Sequence, residues 1–260
     1  MKFINLITSP NRLERILSLI EIRFNLLFFD ARPNEAVYIN DLFSILNNRQ
    51  DLKKLLQDDE VEKTVESIRH EFDRQLTNYG TDLPFPVKFN ADKSFALLVY
   101  AIARFLHPEK VVETGIGYGM TSALILLALK NNGKGNLMSM DLHPLSDPEG
   151  AFIGIGVPQD LRKSWKLHSG SSRRLLPKII TEFGTVSLFV SDSANVFTLQ
   201  RYEFNAVFPK LIPNGAMIFN NVSLKFQEYL NSVKGIEFYS IWQSEKISCV
   251  TIVVFKNPLE

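Results

Sequence analysis

The 260-residue chain has one cysteine, almost no net charge and no long apolar run. Each shortage excludes a class of protein. A single thiol cannot build a disulfide framework within the chain. That thiol, Cys249, sits among β-branched residues in 247–255 with no charged neighbour to activate it. It reads as a core residue of a strand, suited to a reducing cytoplasm, rather than a nucleophile. The 29 basic and 28 acidic residues leave a formal charge of +1, and Lys and Arg form no run. The concentrated basic field that nucleic acid or an anionic membrane attracts is therefore missing, and neither is an expected partner. The longest apolar run, 95–103, is about half a bilayer crossing. Lys2, Asn5 and the Ser9-Pro10 break near the start fit neither a signal peptide nor a membrane span.

What is present is an ordinary globular composition, 45% hydrophobic and 22% charged, without internal repeats. Between about residues 10 and 80 apolar residues recur at helical spacing. Leu13, Ile16, Leu17, Ile20 and Phe24 form one stripe, and similar spacing runs through 42–56 and 61–76. Asp41 and Asp59 stand where helix starts want side-chain acceptors, and Gly80, Pro84 and Pro86 close the region. Beyond residue 90, strand-like runs at 110–113, 137–141, 166–169, 186–191 and 216–220 alternate with helical ones at 121–130, 158–164, 172–183 and 198–211. This alternation predicts a parallel sheet with helices on both faces. The last two strand runs, 236–242 and 246–255, are joined by Gln243-Ser244-Glu245, too short for a crossover helix, so they pair as an antiparallel hairpin.

The first of these strands runs into Glu113-Thr114-Gly115-Ile116-Gly117-Tyr118-Gly119, with a helix opening behind it. Glycines there let the backbone approach a ligand closely, at a helix start with free N–H groups. The spacing is acidic-x-G-x-G-x-G, not the G-x-G-x-x-G of dinucleotide-binding loops. The leading Glu113 repels a pyrophosphate but suits an amino group, held directly or through water.

From about residue 90 onward the sequence resembles the class I S-adenosylmethionine-dependent methyltransferases, whose first motif is this turn. More narrowly, the text at 111–115, Gly133-Lys134-Gly135, 139–142 and 165–177 resembles a bacterial subfamily related to catechol-type O-methyltransferases. The resemblance implies an α/β, Rossmann-like seven-stranded sheet, mostly parallel with the antiparallel hairpin at its end. It spans 89–260, preceded by a helical extension over 1–88 that serves as cap or dimer contact.

The implied cofactor is S-adenosyl-L-methionine. Glu113, Gly115, Ile116, Gly117, Tyr118, Gly119 and Ser122 would form its loop, with the Tyr118 side chain either covering the methionine part of the donor or packing on the neighbouring helix. Asp141, followed by Leu142, would accept from the ribose hydroxyls. Gly170, Ser171 and Ser172 would meet the adenine, with Ser171 replacing the family's acid. Asp192 and Ser193 would complete the cofactor contacts.

Catechol-type relatives bind a divalent metal through two carboxylates and an amide. Here Asp192 matches the first carboxylate, Asn220 replaces the second, Asn221 matches the amide, and Asn195 replaces a basic residue; Glu203 falls where the family has an acid on the next helix. One carboxylate and two amides hold a hard cation poorly, so a metal is not expected to be required. The catalytic candidates are Asp192, as a base or an acceptor from the cofactor's amine, His143, which follows Asp141 by two residues, and Asn221. An acceptor that is a carboxylate or an already acidic hydroxyl needs no strong base.

The reading is methyl transfer, to oxygen first of all, on a small molecule or a peptide. The 144–158 loop, with Gly150, Gly154 and Gly156, is a candidate lid, and the N-terminal helices a candidate homodimer contact. Two rivals remain: a catalytically silent cofactor-binding partner subunit, and an NAD-dependent oxidoreductase.

Overall fold

The structure, a computed structural model, describes residues 10–28, 49–87, 91–144, 147, 149–194, 196–242 and 250–257. Asp41, Asn195, Gln243-Ser244-Glu245 and Cys249 lie outside them, as does the first part of the expected 42–56 helix.

The chain begins with helices α1 (Pro10–Phe28), α2 (Gln50–Leu56) and α3 (Asp59–Thr77). The α3 cap comes one residue earlier than expected: the Asp58 carboxylate accepts from the Glu60 N–H at 2.8 Å, and Asp59 is the first helical residue. The apolar run at 95–103 lies inside α4 (Lys93–Leu106), capped by Asp92. It is apolar all round because it is buried all round. Among the described residues no helix is long and apolar enough to cross a membrane.

Seven strands follow: β1 (Lys110–Thr114), β2 (Asn136–Asp141), β3 (Trp165–Ser169), β4 (Val186–Ser191), β5 (Leu211–Phe219), β6 (Ile236–Trp242) and β7 (Val250–Lys256). They form one sheet in the order β3-β2-β1-β4-β5-β7-β6. The first five are parallel neighbours, and β7 runs antiparallel to both β5 and β6. Between and after them come α5 (Met120–Asn132), α6 (Ser172–Phe183), α7 (Phe197–Val207) and α8 (Leu224–Asn231). Most boundaries shift by a residue or two, and two differ in kind. Residues 159–164 form a 3-10 turn, and Leu211, expected at a helix end, opens β5 after a 3-10 turn containing Pro209.

Alternate residues of each strand enter opposite layers, as strand periodicity requires. Val111, Leu137, Leu188, Val190 and Ile218 pack on α4 and α5, and Val61, Val65, Phe72 and Leu76 of α3 join that cluster. Val112, Met138, Phe189, Met217 and Phe219 pack on α6, α7 and α8. The strand order reverses direction of travel at β1/β4, the point where open α/β sheets leave a crevice at the carboxyl ends of their strands.

Candidate active site

The ladder continues past the strand ends. Asp192 N–H donates to the Thr114 carbonyl at 2.8 Å, Gly115 N–H to Met140 at 3.0 Å, Gly170 N–H to Asp141 at 2.8 Å and Asn220 N–H to Ser191 at 2.9 Å. These bonds draw the loops after β1 to β5 to one edge, around a cavity of about 960 Å³. Gly115 (φ +81°) makes the approach possible, since a Cβ there would lie 2.2 Å from the Asp192 carbonyl oxygen.

Eleven expected residues line this cavity: Gly115, Ile116, Gly117, Asp141, Leu142, Gly170, Ser171, Ser172, Asp192, Ser193 and Asn221. Asp141 Oδ2 accepts from the backbone N–H groups of Ile116 and Gly117, both at 2.8 Å. The amides that would cradle a phosphate are thus already occupied by a carboxylate, which argues against a dinucleotide pyrophosphate. Asn221 adopts a left-handed conformation (φ +50°), and its side-chain oxygen is buried without a hydrogen bond among the described residues. A buried acceptor of this kind at a cavity wall is suited to a ligand donor.

Six expected residues lie elsewhere, and each correction has a local cause. Glu113 is fully buried beneath the loop, where Oε2 accepts from Ser122 and Ser139 hydroxyls, each at 2.6 Å. It reaches no ligand directly. Burial pushes its carboxyl up to about 8, against the two hydroxyls that favour its charge; Asp192 and Asp141 push the same way as burial. Ser122 is spent on that bond. Tyr118 turns away to stack on Phe85 (ring centroids 3.9 Å), its hydroxyl accepting from Phe85 N–H and donating to Phe85 C=O. Gly119 caps α5 against Val157 and Gly154. His143 is buried outside the cavity lining, with Nε2 3.0 Å from the Asn11 amide nitrogen of α1.

The sixth is Asn220. Its amide nitrogen donates to Asp192 Oδ1 at 2.7 Å, while its oxygen accepts from Asn221 N–H and the Thr251 hydroxyl at 3.0 and 3.1 Å. A metal between Asp192 and Asn220 would need that oxygen where the NH2 now points. The residues do not fit the metal centre of the catechol-type relatives, and among the described residues no three His, Cys, Asp or Glu side chains converge to hold an ion. Glu203 is buried too, raised by burial against the hydroxyls of Ser191, Ser172, Thr114 and Ser193. The 144–158 loop is no free flap: Gly154 and Gly156 N–H groups bond to Gly117 and Tyr118 carbonyls, each at 2.9 Å.

The roof of the cavity is α1, which the apolar stripe did not reveal. Its polar residues face the domain. Asn11 bonds Ser169 and Arg174, Glu14 bonds Arg174 and, at 2.8 Å, the Ser171 N–H, Glu21 pairs with Arg173 and Thr198, and Asn25 bonds Thr198 at 2.9 Å. Burial raises Glu21, but hydrogen bonds from Arg173 and Thr198 and the Arg173 charge outweigh it and hold the carboxyl below its ordinary value. The spacing 11, 14, 18, 21, 25 is as helical as that of the apolar stripe and was the available signal. Leu13, Leu17, Ile20 and Phe24 are instead 43 to 61% exposed.

A seven-stranded sheet of this order, with an acidic-x-G-x-G-x-G turn after β1 and an aspartate after β4, defines the class I, S-adenosylmethionine-dependent methyltransferase fold. Residues 112–222 match the family model described as a methyltransferase domain. No curated protein matches the sequence. Among solved structures, the O-methyltransferase TomG of Streptomyces achromogenes, involved in tomaymycin synthesis and bound to its cofactor SAM, is similar with TM-score 0.55 at 16% identity, over 77% of this chain and 91% of that one. An O-methyltransferase from Bacillus cereus in complex with SAH gives TM-score 0.56 at 12% identity, over 75% and 91%. A putative O-methyltransferase from Klebsiella pneumoniae gives 0.55 at 13%, over 85% and 100%.

Proposed function

We propose that the protein transfers a methyl group from S-adenosylmethionine to an oxygen of a small molecule or peptide, without a metal. The observation that carries this reading is the cavity at the β1/β4 crossing, with a carboxylate, not free amides, on its glycine loop. Its volume is near the top of the usual range for ligand pockets, roughly 300–1,000 Å³, which supports a cofactor together with an acceptor. The cofactor's sulfonium supplies an activated methyl group, so the protein has chiefly to align the acceptor and receive its proton. Asp141 offers a wall carboxylate for a diol, Gly170 and Ser171 the neighbouring edge, and Asn221 Oδ1 an acceptor for an amino or hydroxyl group. Asp192 is the proton acceptor, oriented by Asn220. It is a weak base, which suits a carboxylate or an acidic hydroxyl as acceptor.

Titration calorimetry with S-adenosylmethionine, its demethylated product and NAD tests the cofactor; binding of NAD alone would overturn the reading. Turnover on phenols, small acids and peptide carboxylates, with and without Mg2+, tests the rest. Asp192→Ala is expected to lower turnover about 10- to 100-fold, at the modest end of acid–base effects, while cofactor affinity stays within a few-fold. Loss of all cofactor affinity would show Asp192 to be structural.

The division at residue 88 and a homodimer through α1 belong to the same proposal. An exposed apolar stripe on a helix is costly to leave in water and suits a second copy. Leu13→Glu with Ile20→Glu is expected to convert a dimer to a monomer in sedimentation, with cofactor affinity unchanged. A wild-type chain that stays monomeric at tens of micromolar (~) would sink it.

A further inference from the structure

Two of the three arginines around the cavity have carboxylate partners, and one has none among the described residues. Three arginines line it: Arg15, Arg173 and Arg174. Arg173 pairs with Glu21 and Arg174 with Glu14. Arg15, half-buried on α1, has no carboxylate, hydroxyl or ring partner among the described residues. On the acidic side, Asp141 is committed to two loop amides and Asp192 to Asn220. Arg15 stands on the same helical face as Ser18 and Ile22, three and seven residues on, and both line the cavity. Ile22, Phe85 and Leu199 make the surroundings apolar. A half-buried guanidinium at a cavity wall, with no counter-ion among the described residues, is suited to an anion brought by a ligand.

We propose that Arg15 binds a carboxylate, or an equivalent planar anion, carried by the methyl acceptor, which is therefore an apolar, typically aromatic, acid. This rests on the proposed methyl transfer and narrows its substrate class. Arg15 is a specificity residue, not a catalytic one. The cofactor's own carboxylate is the alternative source of the same chemistry, and the experiment separates them.

The full-length protein is titrated calorimetrically with three matched pairs, benzoate and benzamide, cinnamate and cinnamamide, 2-naphthoate and 2-naphthamide, with and without saturating S-adenosylhomocysteine. The wild type is expected to prefer at least one acid over its amide by roughly 10- to 100-fold, the effect of a charge-assisted hydrogen bond. Arg15→Gln is expected to abolish that preference, and Arg15→Lys to restore part of it, with S-adenosylhomocysteine affinity within about twofold throughout. Arg15 makes no side-chain hydrogen bond or ion pair among the described residues, so neither variant removes one of them. Equal binding of every acid and its amide by the wild type would overturn the proposal. So would a tenfold loss of S-adenosylhomocysteine affinity in Arg15→Gln with acid binding unchanged, since the carboxylate would then be the cofactor's. Failure of the wild type to bind S-adenosylhomocysteine at all would instead refute methyl transfer, and the titrations without it would still report on Arg15.

Discussion

Gly115→Ala is expected to weaken cofactor binding severely and to destabilise the domain. Two costs add. A φ of +81° strains any residue with a Cβ, by roughly 1–3 kcal/mol. The added carbon would also lie 2.2 Å from the Asp192 carbonyl oxygen and 2.6 Å from the Ser193 nitrogen, backbone atoms that cannot swing aside. Relief requires the loops after β1 and β4 to part, and the cavity floor is their junction. Gly184→Ala is the control: its φ is +74°, but nothing lies within 4 Å of the added carbon. Denaturant melts should show Gly184→Ala paying strain alone, and calorimetry should show cofactor affinity down at least about 100-fold only in Gly115→Ala. Equal behaviour of the two variants would mean that the β1/β4 junction tolerates movement.

Replacing Glu113 by Gln should change how stability depends on pH, in a direction that follows from its surroundings. The Glu113 carboxyl is raised from 4.5 to about 8 by burial, against the Ser122 and Ser139 hydroxyls. The folded protein therefore holds a proton that the unfolded chain releases above about pH 4.5. Stability from this group is full below that value and declines as pH rises through the window up to about 8; above it the loss is constant. At about 1.4 kcal/mol per unit, the decline is on the order of several kcal/mol. Gln cannot ionise, yet its side-chain oxygen can still accept from both serines. Denaturation at pH 5, 7 and 9 should show the wild type losing stability relative to Glu113→Gln at each step. Parallel curves would show that Glu113 is already ionised at pH 5.

Much of the fold was legible because its signals are local. The strand-like runs at 186–191 and 236–242 match β4 and β6 to the residue, and the hairpin followed from a linker too short for a helix. The boundary errors have the same origin: Pro209 ends α7 early, and a strand start at Leu211 has no signature within a helical-looking stretch. The cofactor-side walls were readable because glycines and end-of-strand acids mark them. Glu113, Tyr118 and Ser122 were misplaced because a motif gives spacing, not depth; Glu113 points below the loop because β1 alternates its faces. The N-terminal extension was expected as cap or dimer contact, but which face of α1 turns inward was not legible, for a different reason. A polar stripe at helical spacing ordinarily marks the wet side of a helix, and only tertiary contacts reveal that in α1 it is the inner one.

The bonds that seat α1 reach partners 132 to 177 positions further along the chain, from His143 to Thr198. During synthesis the roof therefore leaves the ribosome well before the walls it covers. At roughly 5–20 residues per second, α1 waits on the order of ten seconds for its first anchor, and until then its polar side is satisfied by water at little cost. The first strands can therefore assemble beneath an open mouth before α1 is seated.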